Sequence, residues 1–387
     1  MKRSRPRVFA VVAIVAAGFA YVTWLFSMGL TDKNATERDF IQYWAAEQQI
    51  THGANPYDVQ AILHLERSAG LEGHSPKVTF SPPVAFFLWM PLGWMGAKAG
   101  LILWLYLLFA CLGASVWILM RLYERPDSGL HWVGFAFPPV LACLMAGQLG
   151  IFFLFAITLF LCLHKTRPLL AGAALFLCAL KPQLFVPCFI ALALWSAHRK
   201  CFRVLAGFLA TLGVNCALTL SLDPHIWSQY AQMMRSTRTL QVFIPALSVA
   251  LRFLVDRNAV WIQFLPEAAA CCWAAWYYWT RRQRWDWGDQ GLLLLLVSEL
   301  CSPYAWFFDE AMLFPAVLSA LYKAERSGRS LIPFAVAGGI ALFEVMAHVE
   351  LQTAYYLWTS PAWLAFYLYA ARSPSATVEA SATAVPG

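Results

Sequence analysis

The segment Asp39-Phe40-Ile41-Gln42-Tyr43-Trp44-Ala45-Ala46, continued by Gly53-Ala54-Asn55-Pro56-Tyr57-Asp58, is polar and acid-bearing, and it directly follows a long apolar run from Val8 to Leu30. What surrounds it decides how it reads. Of the 387 residues 60% are hydrophobic and 13% charged, with 18 tryptophans and a mean hydropathy of +0.58. That balance lies outside the range of soluble globular domains. Apolar runs at or near the ~20 residues of a spanning helix recur from residue 8 to residue 371, and only residues 31–80 interrupt them with a long hydrophilic stretch. The chain therefore reads as an all-α polytopic membrane protein with one membrane domain over residues 1–371, and the quoted segment as part of a helical loop outside the bilayer.

Orientation follows from charge. Lys2, Arg3, Arg5 and Arg7 precede the first apolar run, which is too long for the core of a cleaved signal and reads as a retained anchor. With that end inside, the later basic clusters Arg121/Arg125, Lys165/Arg167, Arg199/Lys200/Arg203, Arg281/Arg282/Arg284 and Lys323/Arg326/Arg329 all fall inside too. The spans that achieve this are 8–29, 98–120, 132–147, 149–164, 168–180, 183–197, 201–221, 260–280, 290–303, 305–322, 331–348 and 352–371, which makes twelve crossings in a bundle expected to hold roughly 10 to 12. The first outer loop is then 31–97 and the second 222–258. Pro82 to Gly96 must dip into the membrane or lie on it, and Leu240 to Val255 must form an outer amphipathic helix. Residues 372–387 lack periodicity and read as a disordered tail. The net charge of +7 is accounted for by these inner clusters, without a nucleic acid partner. The ten cysteines stand singly or adjacent in apolar runs without metal-ligand or disulfide spacing, as packing residues do.

In this topology the other informative polar residues gather on the outer side: Asp39 and Asp58, Phe80-Ser81-Pro82-Pro83, Gly147-Gln148-Leu149-Gly150, Lys181-Pro182-Gln183, Asp223-Pro224-His225, Arg235 and Arg238, and Ser302-Pro303 with Asp309-Glu310. Lys181 stands between two apolar helices before a helix-breaking proline, so it needs an anionic partner or a route to the interface. A phosphate at the outer face, shared with the outer pair Arg235 and Arg238, is one reading, and an interfacial anchor is the other. Asp39 ends the pattern Thr36-Glu37-Arg38-Asp39, so its carboxylate is either a helix cap or a chemical group. Asp58, after Asn55-Pro56-Tyr57, reads better as the N-cap of a helix from Val59 to Ser68. Asp309 and Glu310 suit the start of a helix and leave a divalent metal as an open alternative.

The ordered set Asp39-x-x-x-Tyr43-Trp44-x-Ala46, Gly53-x-Asn55-Pro56-Tyr57, Phe80-Ser81-Pro82-Pro83 with Pro91-Leu92, Gly147-Gln148, Lys181-Pro182-Gln183 and Ser302-Pro303 with Asp309 resembles glycosyltransferase family 87, the polyprenyl-phosphate-mannose-dependent group. The resemblance runs from about residue 8 to 371. It implies a GT-C-like helical bundle whose extracytoplasmic first loop carries an essential Asp, in a bacterial inner membrane. A hexose such as mannose would move from a polyprenyl-phosphate donor to a lipid or glycan acceptor, without a cofactor. By the same resemblance Asp39 is the general base of an inverting transfer. Lys181, Arg235 and Arg238 neutralise the donor phosphate. Tyr43, Trp44, Asn55, Tyr57, Gln148, Gln183 and Asp309 contact substrate. The family's usual His after the Ser-Pro pair is replaced here by Tyr304-Ala305-Trp306-Phe307.

A membrane transporter or lipid flippase is the alternative from another class, since buried lysines and broken helices also mark substrate paths. No internal repeat relates the two halves of the sequence, and the polar residues crowd one side instead of lining a path. An enzyme fits that asymmetry better than a transporter or a non-catalytic assembly protein of the envelope.

Overall fold

The computed structural model describes residues 20–236, apart from Val22, and 243–372. The body of the expected first span, Arg238 and the expected tail lie outside the described residues. All regular structure among them is helical. Among the described residues, three helices are long and apolar enough to cross a membrane, Ala97–Leu122, Gly129–Ala146 and Phe202–Leu222. They coincide with the expected spans 98–120, 132–147 and 201–221. Shorter apolar helices at Gly150–Leu163, Pro168–Leu180, Gln290–Leu300 and Ile332–Met346 occupy other expected spans. Pro83–Trp94 is also helical but short, and the expected amphipathic helix appears as Leu247–Val255.

The chain divides into two compact units, one of residues 1–110, 144–148 and 213–237, the other of residues 111–143, 149–212 and 238–387. In the first, the hydrophilic loop folds into short helices fixed by local caps. Thr31 caps Asp32–Thr36 through a reciprocal exchange with Asn34, and the Asp58 carboxylate accepts from the amides of Gln60 and Ala61, at 2.9 and 3.1 Å, to start Val59–Ser68. Asp58 is thus the cap its sequence context suggests. Aromatic packing supplies the core: Trp104 lies 5.7 Å from the Phe40 ring, 5.1 Å from Tyr43 and 4.7 Å from Trp89. Such pairs add about 0.5–1.5 kcal/mol each beyond their burial. A second cluster joins Ala46, Ile50, Tyr57 and Phe86 to Ile226 and Met233.

In the second unit, backbones approach closely where side chains are absent. A Cβ on Gly172 would come within 1.9 Å of the Val204 carbonyl, and one on Gly207 within 2.0 Å of the Leu169 carbonyl. Small residues at a helix crossing are the usual means of packing in lipid, where no hydrophobic force draws apolar helices together. The helix Phe314–Arg326 is almost wholly enclosed, from Phe314 to Tyr322 without interruption.

Candidate functional site

Asp39 occupies the N-cap position of the helix Phe40–Thr51, yet its side chain makes no capping bond. The carboxylate turns elsewhere. Its Oδ2 accepts from Gln148 Nε2 at 3.0 Å, and its Oδ1 lies 3.3 Å from Lys77 Nζ. The capping alternative for Asp39 is therefore not the arrangement found. Each oxygen keeps a free lone pair, and the side chain is one-third exposed.

Both partners of Asp39 are themselves held. Gln148 Oε1 accepts from the Tyr43 hydroxyl at 2.8 Å, so the amide bridges two groups on successive turns of one helix. An amide can both donate and accept in this way without charge. Gly147 places it: φ is +69°, and a Cβ there would lie 2.8 Å from the Phe40 Cβ. Trp104 Nε1 donates to the Gly147 carbonyl at 2.9 Å. Arg38 donates to the carbonyls of Leu144 and Met145 at 3.2 and 2.7 Å, tying the residue before Asp39 to the segment that ends in Gln148. Lys77 Nζ also donates to the Glu37 carbonyl at 3.0 Å, while its backbone amide donates to both oxygens of Glu66, at 3.1 and 3.2 Å. Burial pushes the Glu66 carboxyl up to about 7, opposed by that amide and the Lys77 charge.

The other first-loop residues of the motif serve the frame. Asn55 Oδ1 accepts from the Tyr57 amide at 2.9 Å, and the Tyr57 hydroxyl donates to the Ser81 carbonyl at 3.0 Å. This bond joins the Gly-x-Asn-Pro-Tyr and Phe-Ser-Pro-Pro elements. Trp44 Nε1 donates to the Met95 carbonyl at 2.8 Å. Tyr43, Trp44 and Tyr57 are all buried. Arg235 is exposed in the last turn of Ile226–Ser236.

In the second unit Lys181 sits at the break between the short helices Phe176–Leu180 and Pro182–Leu184. Its anionic partner within the protein is Asp309: Nζ lies 2.8 Å from Oδ1, with the lysine side chain 12% and the aspartate 0% exposed. Asp309 Oδ2 accepts from the Trp306 amide at 3.1 Å, and Lys181 Nζ lies 5.0 Å from the centre of the Phe308 ring. Gly150 begins the helix Gly150–Leu163 against this segment, for a Cβ on it would meet the Phe308 carbonyl at 2.2 Å. Ser302 Oγ closes the Ser-Pro turn by donating to the Tyr304 carbonyl at 3.1 Å. Gln183 is partly buried in the turn after Lys181.

Sequence reasoning missed several of these groups. Lys77 and Glu66 carry no motif of their own. Glu310, expected only to suit a helix start or to hold a metal, accepts from Thr359 Oγ1 at 2.6 Å and from Trp363 Nε1 at 2.8 Å, and buried Glu299 accepts from Ser360 Oγ. These bonds engage the acids within the protein, and no group of three or more His, Cys, Asp or Glu able to hold a metal ion occurs among the described residues.

On comparison with known proteins, the family model described as Glycosyltransferase family 87 matches residues 80–303. No curated protein and no solved structure matches the chain.

Proposed function

The chain belongs to glycosyltransferase family 87 and is a membrane glycosyltransferase; from that premise we propose that it moves a hexose such as mannose from a polyprenyl-phosphate donor to a lipid or glycan acceptor on the extracytoplasmic face of the bacterial inner membrane. The body over residues 1–371 would then be a GT-C-like bundle crossing the bilayer 10 to 12 times.

The observation that carries the reading is the Asp39 carboxylate, freed from capping its helix and oriented by Gln148 and Lys77. A carboxylate so held accepts a proton from an acceptor hydroxyl. The hydroxyl oxygen forms a bond to the anomeric carbon, the bond from that carbon to the phosphate oxygen breaks, the proton passes to Asp39, and the electron pair leaves on polyprenyl phosphate. Attack opposite the leaving group inverts the anomeric centre. Lys181 would face the charge that grows on the phosphate, with Asp309 holding the ammonium in place. Arg235 and Arg238 would add positive potential on the same side of the membrane. Gln183 and the frame of Tyr43, Trp44, Asn55 and Tyr57 would shape the sugar and acceptor sites.

The test uses membranes supplied with radiolabelled polyprenyl-phosphate-mannose. Asp39→Asn keeps size and one of the two accepting oxygens but removes basicity, so label transfer to lipid or glycan should fall by ~10² to 10⁴. Transfer at the parental rate would remove Asp39 from the chemistry.

A further inference from the structure

The helix Leu247–Val255 buries the face that carries Ser248, Val249 and Arg252. Ser248 Oγ donates to the Cys301 carbonyl at 3.1 Å. Val249 joins Ile244 and Ala246 in a core against which Tyr304 and Trp306 pack. The helix therefore lies on the turn that follows Cys301, and that turn leads directly into the Lys181 site. Trp306 gives its amide to Asp309 and stacks on Phe308, with ring centres 5.7 Å apart, and Phe308 lies under the Lys181 ammonium.

One turn beyond Ser248, Arg252 is the only fully buried lysine or arginine among the described residues, at 0% exposure. Its Nε and Nη1 have no hydrogen-bond partner within the protein. The charge acting on it is a like one, Arg257, and the two guanidinium groups lie 5.0 and 5.1 Å from the Phe253 ring. An arginine removed from water without an anion is strongly unfavourable, and a guanidinium presents a planar fork that fits two phosphate oxygens. Lys181 is already neutralised by Asp309; Arg252 is not.

We infer that Arg252, on the helix that packs against the turn leading to Asp309, is a binding residue for the phosphate of the lipid-linked donor, an assignment that rests on the polyprenyl-phosphate reading above. The phosphate is a diester with one negative charge in the donor and a monoester approaching two in the product. Arg252 thus holds the leaving group more strongly than the donor, and it makes polyprenyl phosphate a product inhibitor.

The experiment uses the full-length chain in detergent micelles, with farnesyl phosphate, farnesol and inorganic phosphate as probes, read by binding and by thermal shift. Farnesyl phosphate should bind the parent more tightly than farnesol does. Arg252→Met should weaken farnesyl phosphate by roughly 30-fold or more while leaving farnesol unchanged, and Arg252→Lys should recover part of the loss. The ligand-free melting temperature of Arg252→Met should equal or exceed the parent's, because an unpaired buried charge has gone. A lower one would mark a structural residue and overturn the assignment. Equal farnesyl phosphate affinity in parent and Arg252→Met overturns it too, while leaving the donor class intact. If inorganic phosphate binds the parent but not Arg252→Met and farnesyl phosphate binds neither, Arg252 keeps its anion and the lipid donor falls. No binding of any probe to the parent overturns both.

Discussion

Gln148 donates to Asp39 across 3.0 Å while accepting from Tyr43, so the orientation of the acid depends on an amide 109 residues away and on a hydroxyl one turn down its own helix. Tyr43→Phe leaves the ring packing on Trp104 and removes only the hydroxyl. The amide then loses the bond that fixes which way it faces. Turnover in labelled-sugar transfer should fall about 3- to 10-fold, consistent with one net hydrogen bond, whereas Gln148→Leu should cost more because it also strips a partner from the carboxylate. Equal losses for the two variants would show that Tyr43 does not act through Gln148.

Lys181 and Asp309 make opposite demands on stability and on turnover. Lys181→Ala should lower turnover by roughly a hundredfold and also cost about 3–5 kcal/mol of stability, since it leaves a buried aspartate without its cation. The double variant Lys181→Met with Asp309→Leu should regain the melting temperature and remain inactive. Thermal denaturation beside the transfer assay checks both halves, and recovery of activity in the double variant would mean that Lys181 is only structural.

Glu66 predicts a pH dependence of the first loop. Its carboxyl titrates near 7 when folded, against an ordinary 4.5. Below about 4.5 it is protonated in both states and the loop has its full stability. Between 4.5 and 7 the unfolded form releases its proton while the folded form retains it, so stability declines as pH rises through that window. Proteolysis of residues 31–97 in the intact protein should therefore accelerate from pH 5 to pH 8. Glu66→Gln, which still accepts from the Lys77 amide, should flatten the profile and protect the loop at pH 8.

Orientation in the membrane is open to thiol labelling. Lys33 and Glu72 are an exposed pair in the first loop. A cysteine at either position should react with an impermeant reagent applied from outside, and one at Arg284 should not. The reverse pattern would place Asp39 in the cytoplasm.

Three of the expected spans were legible because apolar length is a local property: Ala97–Leu122 and Phe202–Leu222, for example, stand within two residues of where hydropathy puts them. The cap at Asp58 was legible for the same reason. Asp39 was ambiguous, since the pattern from Thr36 permits a cap, and only a partner brought from residue 148 shows where the carboxylate turns. The anionic partner that Lys181 requires was anticipated, but its identity depends on a contact 128 residues away. Arg252 was invisible, because a single arginine in an amphipathic helix looks solvated until its face is known to be covered.

The two carbonyls that receive Arg38, those of Leu144 and Met145, belong to the final turn of the helix Gly129–Ala146, one of the three that are long and apolar enough to cross a bilayer. The acid next in sequence is thereby tied to that turn. Under the proposed function, a displacement of that turn would reach the base through Arg38, one residue before it, without touching either partner of the carboxylate.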